Sequence, residues 1–181
     1  MAEWIPLEEV ALRPVVDRAF VLSDGNARDH AYFRQRVRDW HALFAALPGA
    51  AWALHFEDAG EFATALYGAW HAGKTVVLAG DALPGTQSRL VAQVGGFAGD
   101  WQASAQPVRA PVLTEDAGPL AALDGEATQL VVFTSGSTGE PSAIRKCLRQ
   151  LASEVVALES ALGAGIGDAA VHGTVSHQHI Y

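Results

Sequence analysis

Six consecutive residues, Thr134-Ser135-Gly136-Ser137-Thr138-Gly139, carry the most legible chemistry in this sequence. The two glycines permit backbone conformations that turn successive N–H groups into one concavity, which binds an anion without needing a charged side chain. Four hydroxyls, from Thr134, Ser135, Ser137 and Thr138, add donors to phosphate oxygens. The apolar run Leu130-Val131-Val132-Phe133 immediately before them predicts a buried β-strand. In a parallel sheet, the carboxyl ends of the strands are where ligands bind. A polar surface turn is the plainer alternative, but six such residues directly after a buried strand favour a phosphate cradle.

A second glycine segment is a weaker claim. Gly68-Ala69-Trp70-His71-Ala72-Gly73-Lys74-Thr75 matches G-x-x-x-x-G-K-T letter by letter. That loop works only between a strand and a following helix, so that the helix start faces the phosphates. Here a helix precedes and a strand follows, and Trp70 and His71 would crowd the anion. The segment reads as a helix ending at Gly73. His172, His177 and His179 form a third group, and His177 and His179 would share one face of a strand. No Cys or acidic partner lies beside them, so they are read as pocket-lining or structural and no metal site is expected. Cys147 is expected inside a helix as a small buried hydrophobe, and the five Trp residues as core.

The elements that must position these residues follow from apolar spacing and punctuation. Asp29 stands as N-cap before a helix over His30–Leu47, with Phe33, Val37, Trp40, Phe44 and Leu47 on one side and Pro48-Gly49 ending it. Ala50–Phe56 reads as a strand, Asp58–Ala72 as a helix, Thr75–Ala79 as a strand, and Thr86–Val94 as a short helix. After Gly95–Asp124, legible only as a strand at Pro111–Leu113, come a strand at Thr128–Phe133, a long helix over Ile144–Leu162 and a strand at Ala169–Val175. Residues 1–29 are an irregular lead-in with a turn cluster at Ser23-Asp24-Gly25-Asn26. This alternation predicts an α/β fold with a parallel sheet of right-handed βαβ units. The expected division is an N-terminal arm and helix over 1–49 and a partial nucleotide-binding domain over 50–181. Because the sequence stops just after an expected strand, it is read as the N-terminal piece of something longer.

Composition bounds the functions. Half of the 181 residues are hydrophobic, enough for a real core and too many for intrinsic disorder, and one cysteine excludes a disulfide scaffold. The net charge of −8, with no basic run, argues against a nucleic-acid partner. Residues 1–20 do not read as a secretory signal, and the most apolar stretch, Ala42–Phe56, is broken by Pro48-Gly49, so neither a leader nor a membrane span is expected. The cytoplasm is the expected compartment.

The string Val132-Phe133-Thr134-Ser135-Gly136-Ser137-Thr138-Gly139-Glu140-Pro141 resembles the signature loop of the AMP-forming adenylating enzymes, which include acyl-CoA synthetases, aryl-CoA ligases and the adenylation domains of peptide synthetases. Phe62–Val77 resembles that family's early helix–Ala-Gly–strand segment. Ser176-His177-Gln178-His179-Ile180-Tyr181 resembles its aromatic or His position beside the acyl pocket, with His179 the better match by spacing. The resemblance runs from Trp52 to Tyr181, about the first third of a typical member. It implies part of the large N-terminal domain of an adenylate-forming enzyme, with ATP held by Thr134 to Gly139 and Mg²⁺ on its phosphates. A fatty or aryl carboxylate would attack the α-phosphate, giving an acyl-adenylate and pyrophosphate. Transfer to CoA or to a phosphopantetheine thiol on a carrier protein would follow. One departure is that the family continues Pro-Lys where this chain has Pro141-Ser142. Arg145 and Lys146, expected at the start of the following helix, are the nearest cations, and Lys146 is the expected substitute. The family's later adenine, ribose and catalytic-lysine motifs are absent, so the chain alone is expected to be inactive. A non-catalytic binding or interaction module that keeps this fold is the alternative.

Overall fold

The computed structural model describes residues 4–15, 19–23, 26–102, 111, 118–134, 142–166 and 177. A short 3₁₀ turn at Leu7–Glu9 is followed by two antiparallel strands, β1 (Ala19–Ser23) and β2 (Asn26–Asp29), paired from Ala19–Asp29 to Ser23–Asn26. Helix α1 (His30–Ala46) starts where Asp29 accepts a hydrogen bond from the Tyr32 amide, 2.7 Å. Its Phe33, Val37, Trp40 and Phe44 are fully buried. Helix α2 (Ala59–His71) is capped the same way, by Asp58 on the Glu61 amide at 2.8 Å, and Gly73 at φ 70° turns the chain out of it.

The two helices cross at Gly68. A Cβ there would sit 2.3 Å from Trp40 Cβ and 2.9 Å from the His41 amide, so glycine sets how closely they approach. One buried polar cluster crosses the same interface. The Glu61 carboxylate accepts from Arg36 (2.9 and 3.2 Å), the Tyr32 hydroxyl (3.0 Å) and the Trp40 indole (3.3 Å).

The sheet holds β3 (Ala51–His55), β4 (Thr75–Leu78), β5 (Gly96–Gly99), β6 (Gln129–Thr134) and β7 (Ser142–Cys147), in the order β5-β3-β4-β6-β7. The first four are parallel and β7 is antiparallel to β6. Side chains alternate between two cores, as the strand period requires. Trp52, Leu54, Val76, Leu78, Leu130 and Val132 meet α1 and α2 on one face. On the other, Ala53, Val77, Phe97 and Val131 meet Leu90 of the short helix α3 (Pro84–Leu90). Right-handed crossovers explain the two-sidedness: the chain steps from β3 to β4 in one direction and from β4 back across β3 to β5 in the other. The α/β class and the parallel sheet of βαβ units agree with the sequence reading.

The long helix expected over Ile144–Leu162 requires correction. Residues 142–147 form β7, and helix α4 runs from Leu148 to Ile166. Ile144, Leu148 and Leu151 are spaced by four and three residues and so imitate a helical face. Pairing with β6 instead satisfies that strand's free edge. Cys147 therefore ends a strand rather than sitting inside a helix; its half-buried thiol lies 3.6 Å from the Glu126 carboxylate. Strand β5 falls in the stretch that resisted reading. Only Pro111 of the strand expected at Pro111–Leu113 is among the described residues, and it is in no strand; Ala169–Val175 lies outside them.

Candidate functional site

The pairing register aligns the carboxyl ends of the four parallel strands. Leu54 lies opposite Leu78 and Ala98, and Leu78 opposite Val132. Two residues further, Thr134 ends β6 level with Phe56 and Gly80. Across the sheet from β6 to β3 is two strand spacings, about 10 Å. Thr134 is also paired with Ser142 at the start of β7, so Thr134, the first residue of the hydroxyl- and glycine-rich segment, stands at the carboxyl edge. Of the segment's residues, Ser135, Gly136, Ser137, Thr138 and Gly139 lie outside the described residues, as does His179.

Connections leave β3 and β4 towards opposite faces of the sheet, which makes the gap beyond their carboxyl ends the topological switch point where α/β sheets take ligands. Three strand ends contribute polar side chains there. His55 ends β3, and its carbonyl accepts from the Asp100 amide at 2.7 Å. Asp100 follows β5, and its carboxylate accepts from the Glu57 amide at 2.9 Å. Asp81 follows β4 and accepts from the Leu83 amide at 3.0 Å. The Trp101 ring lies 5.6 Å from that of His55. His177 joins this edge over the start of α2, its ring 4.8 Å from that of Phe62.

Burial lowers the pKa of both imidazoles. For His55 the nearby Asp100 opposes this without reversing it, and for His177 a hydrogen bond to the Phe56 backbone does the same. Burial alone would raise the Asp81 carboxyl, but the Thr86 hydroxyl, the Leu83 amide and Arg89 hold it below the ordinary aspartate range. The edge thus presents two neutral imidazoles and an ionised carboxylate at neutral pH. His55 Nδ1 and His177 Nε2 are buried without a hydrogen-bond partner, so each can accept a hydrogen bond from an incoming group. His55, Asp81 and Asp100 were not singled out in the sequence. Their common signal is a polar residue directly after a short apolar run, in AWALH, TVVLAGD and GFAGD.

The cations expected to serve the loop lie in β7 rather than at the start of a helix. Strand β7 runs away from the carboxyl edge, so Lys146 lies opposite Leu130, four residues and about 13 Å of strand from the Thr134–Ser142 pair. Its ammonium bonds the Glu154 carboxylate at 2.5 Å. Arg145 lies opposite Val131 and bonds the Gln129 side chain. The formal phosphate loop is also resolved: Gly68 to His71 is helical, Thr75 begins β4, and Lys74 Nζ donates to the Leu47 and Gly49 carbonyls, both at 2.9 Å. Lys74→Met is accordingly expected to cost about 1–2 kcal/mol of stability through those two hydrogen bonds. Any affinity for ATP found by calorimetric titration should stay within about twofold of the unsubstituted chain's; a tenfold loss would restore that loop as a site.

Two clefts formed by described residues lie away from this edge. One of about 650 Å³ lies between the β1–β2 hairpin and the start of α1, beside Arg28, His30, Tyr32 and Arg34. The other, of about 400 Å³, is lined by His41, Trp70, His71, Lys74 and Leu120 near the amino ends of β4 and β6. Burial takes His71 down to about 4, so it is neutral there. Convergent polar groups at a switch point, rather than cleft size, single out the carboxyl edge. Among the described residues no group of three or more His, Cys, Asp or Glu is placed to hold a metal ion, and no helix is long and apolar enough to cross a membrane.

No family model matches the chain, and no curated protein matches it by sequence. Solved structures do match it in fold. A nonribosomal peptide synthetase, FmoA3, in an AMPPNP-bound form is 19% identical over 87% of this chain and 19% of its own, with a TM-score of 0.69. The Klebsiella oxytoca NpsA N-terminal subdomain, in complex with 3-hydroxybenzoyl-AMSN, is 16% identical over 81% of this chain and 42% of its own, with a TM-score of 0.64. The Bacillus subtilis o-succinylbenzoate CoA synthetase MenE, in complex with the acyl-adenylate intermediate OSB-AMP, is 17% identical over 91% of this chain and 47% of its own, also at 0.64. The chain has the fold of the N-terminal part of adenylate-forming enzymes and spans less than half the length of each of these three.

Proposed function

We propose that this chain is the N-terminal part of an ATP-dependent, AMP-forming ligase that activates a carboxylate as its acyl-adenylate. The observation that supports the reading is that Thr134, the first residue of the Thr134–Gly139 segment, ends a buried parallel strand at the carboxyl edge. The fold is shared with structures that hold AMPPNP and an acyl-adenylate. In this reading the segment's backbone amides and hydroxyls hold the outer phosphates of ATP, and Mg²⁺ enters with those phosphates. A fatty or aryl carboxylate displaces pyrophosphate from the α-phosphorus, and His179 borders the acyl pocket. CoA or a phosphopantetheine arm on a carrier protein then accepts the acyl group. Donors aimed at the charge that develops on the departing pyrophosphate give the segment its catalytic weight.

The test is carboxylate-dependent ATP–pyrophosphate exchange by the polypeptide as its reading frame encodes it. Gly136→Val, which puts a branched side chain into the anion nest, should lower exchange by about 10²–10³-fold, the usual loss of an oxyanion-type donor. Lys146→Ala should change it less than twofold. Full exchange by the Gly136 variant would overturn the assignment. The non-catalytic alternative is favoured by one observation: Arg145 and Lys146 are both carried away from the loop, and serine stands at 142. AMPPNP binding without exchange by any carboxylate in a panel would decide for it.

A further inference from the structure

Two imidazole nitrogens at the amino end of the sheet are buried without a hydrogen-bond partner: His41 Nδ1 on α1 and His71 Nε2 on α2. The helix crossing brings these residues to one place. A Cβ at Gly68 would lie 2.9 Å from the His41 amide, so α2 meets α1 at residue 41. His71 is three residues on from Gly68 and therefore on the same face of α2, about 5–6 Å further along it. Both imidazoles line the cleft of about 400 Å³, with Trp70, Leu120 and Leu123 as its apolar wall. The charged groups of that cleft are engaged elsewhere. Lys74 Nζ donates to the Leu47 and Gly49 carbonyls, and Asp124 Oδ1 accepts from the Glu126 and Ala127 amides.

An imidazole nitrogen without a proton offers one lone pair, to a hydrogen-bond donor or to a metal ion. Two such nitrogens brought together from two helices suit a divalent transition metal, for which imidazole is a preferred donor. Burial keeps both rings neutral at pH 7, so neither carries the second proton that would block ligation. Mg²⁺ and Ca²⁺ are disfavoured, because they take oxygen ligands. We propose that His41 Nδ1 and His71 Nε2 bind a divalent transition-metal ion, Zn²⁺, Ni²⁺ or Cu²⁺, which clips α1 to α2 while water entering the cleft completes its coordination. With two protein ligands the ion is held less tightly than in centres of three or four, none of which occurs among the described residues. The site lies at the opposite end of the parallel strands from Thr134, beside Lys74 and Thr128. It is therefore separate from any ion that accompanies ATP, and independent of the enzymatic reading.

Metal titration of the 181-residue polypeptide tests it. Zn²⁺ at about a hundred times its dissociation constant should raise the melting point by about 5–10 °C, and Mg²⁺ at the same concentration should not. His41→Gln and His71→Gln should each weaken Zn²⁺ binding by about tenfold or more in calorimetric titration, on protein shown to be folded by its melting curve in EDTA. In the unsubstituted chain, sub-stoichiometric Cu²⁺, the tighter-binding ion, should broaden the ring NMR resonances of His41 and His71 before those of any other histidine. That measurement decides if either variant fails to fold. No Zn²⁺ binding, unchanged affinity in the two variants, equal stabilisation by Mg²⁺, or broadening that begins at another histidine would overturn the proposal.

Discussion

Glu61→Ala is expected to lower the stability of this chain by about 3 kcal/mol, the low end of the cost of breaking a buried ion pair, because Glu61 keeps some contact with solvent. The carboxylate is the common acceptor for Arg36, Tyr32 and Trp40 at the α1–α2 interface. Its loss leaves the Arg36 guanidinium, on a residue only 9% exposed, with Asp39 as its remaining carboxylate partner, and removes the acceptor from two neutral donors. For a chain of this length the loss corresponds to a melting point lower by roughly 6–12 °C. The effect should fade in acid. Burial alone pushes the Glu61 carboxyl up, but the Arg36 hydrogen bond and charge, with the Tyr32 and Trp40 bonds, outweigh it and leave the carboxyl below its usual 4.5. A group depressed on folding stabilises fully above its unfolded value and loses that contribution as pH falls through the folded one. Melting curves of wild type and variant at pH 7 and pH 3 should therefore converge at the lower pH. A gap under 2 °C at pH 7, or one unchanged at pH 3, would show that the cluster is not coupled to folding in this way.

Gly99→Ala should be comparably damaging for a different reason. Gly99 has φ +101°, and a Cβ would lie 1.9 Å from the His55 carbonyl oxygen and 2.9 Å from its carbon, both backbone atoms. Neither can move without breaking the β5–β3 register at His55–Gly99. Overpacking together with an unfavourable φ is expected to cost about 3 kcal/mol. It should also displace Asp100 from the Glu57 amide and disturb the His55 ring, a change visible in that imidazole's NMR shifts. Gly73→Ala is the internal control: its φ is +70° but nothing lies within 4 Å, so only the backbone term remains, about 1 kcal/mol. Urea midpoints that rank the two variants equally would refute the steric argument.

Much of the architecture could be read from pattern, and the omissions have physical causes. Segments with one buried face or two declared themselves: α1 by its aspartate cap and apolar spacing, α2 by apolar spacing and its closing glycine, β4 and β6 by β-branched runs buried on both sides. Strand β5 did not, because both of its ends must be glycine. Trp52 covers Gly96, where a Cβ would meet its ring at 2.5 Å, and the His55 carbonyl covers Gly99. The sequence GFAG thus looks like a turn. Strand β7 is an edge strand with four exposed residues out of six, so it shows no burial alternation to distinguish it from the helix behind it. That error also misplaced Lys146. The strand before the hydroxyl- and glycine-rich segment was legible from its own apolar run. His55, Asp81 and Asp100 could not be grouped from sequence, because they meet only once the order β5-β3-β4 is known.

The β6–β7 ladder has a thermodynamic consequence for the segment it carries. Residues 135–141 join two backbones that the sheet already holds as paired neighbours from Thr134–Ser142 to Gln129–Cys147. The cost of bringing the ends of this connection together is therefore met by cross-strand hydrogen bonding, and it grows only slowly with length, about 0.6 kcal/mol per doubling. Insertions or deletions between Thr134 and Ser142 are therefore expected to leave the register of the sheet beneath intact.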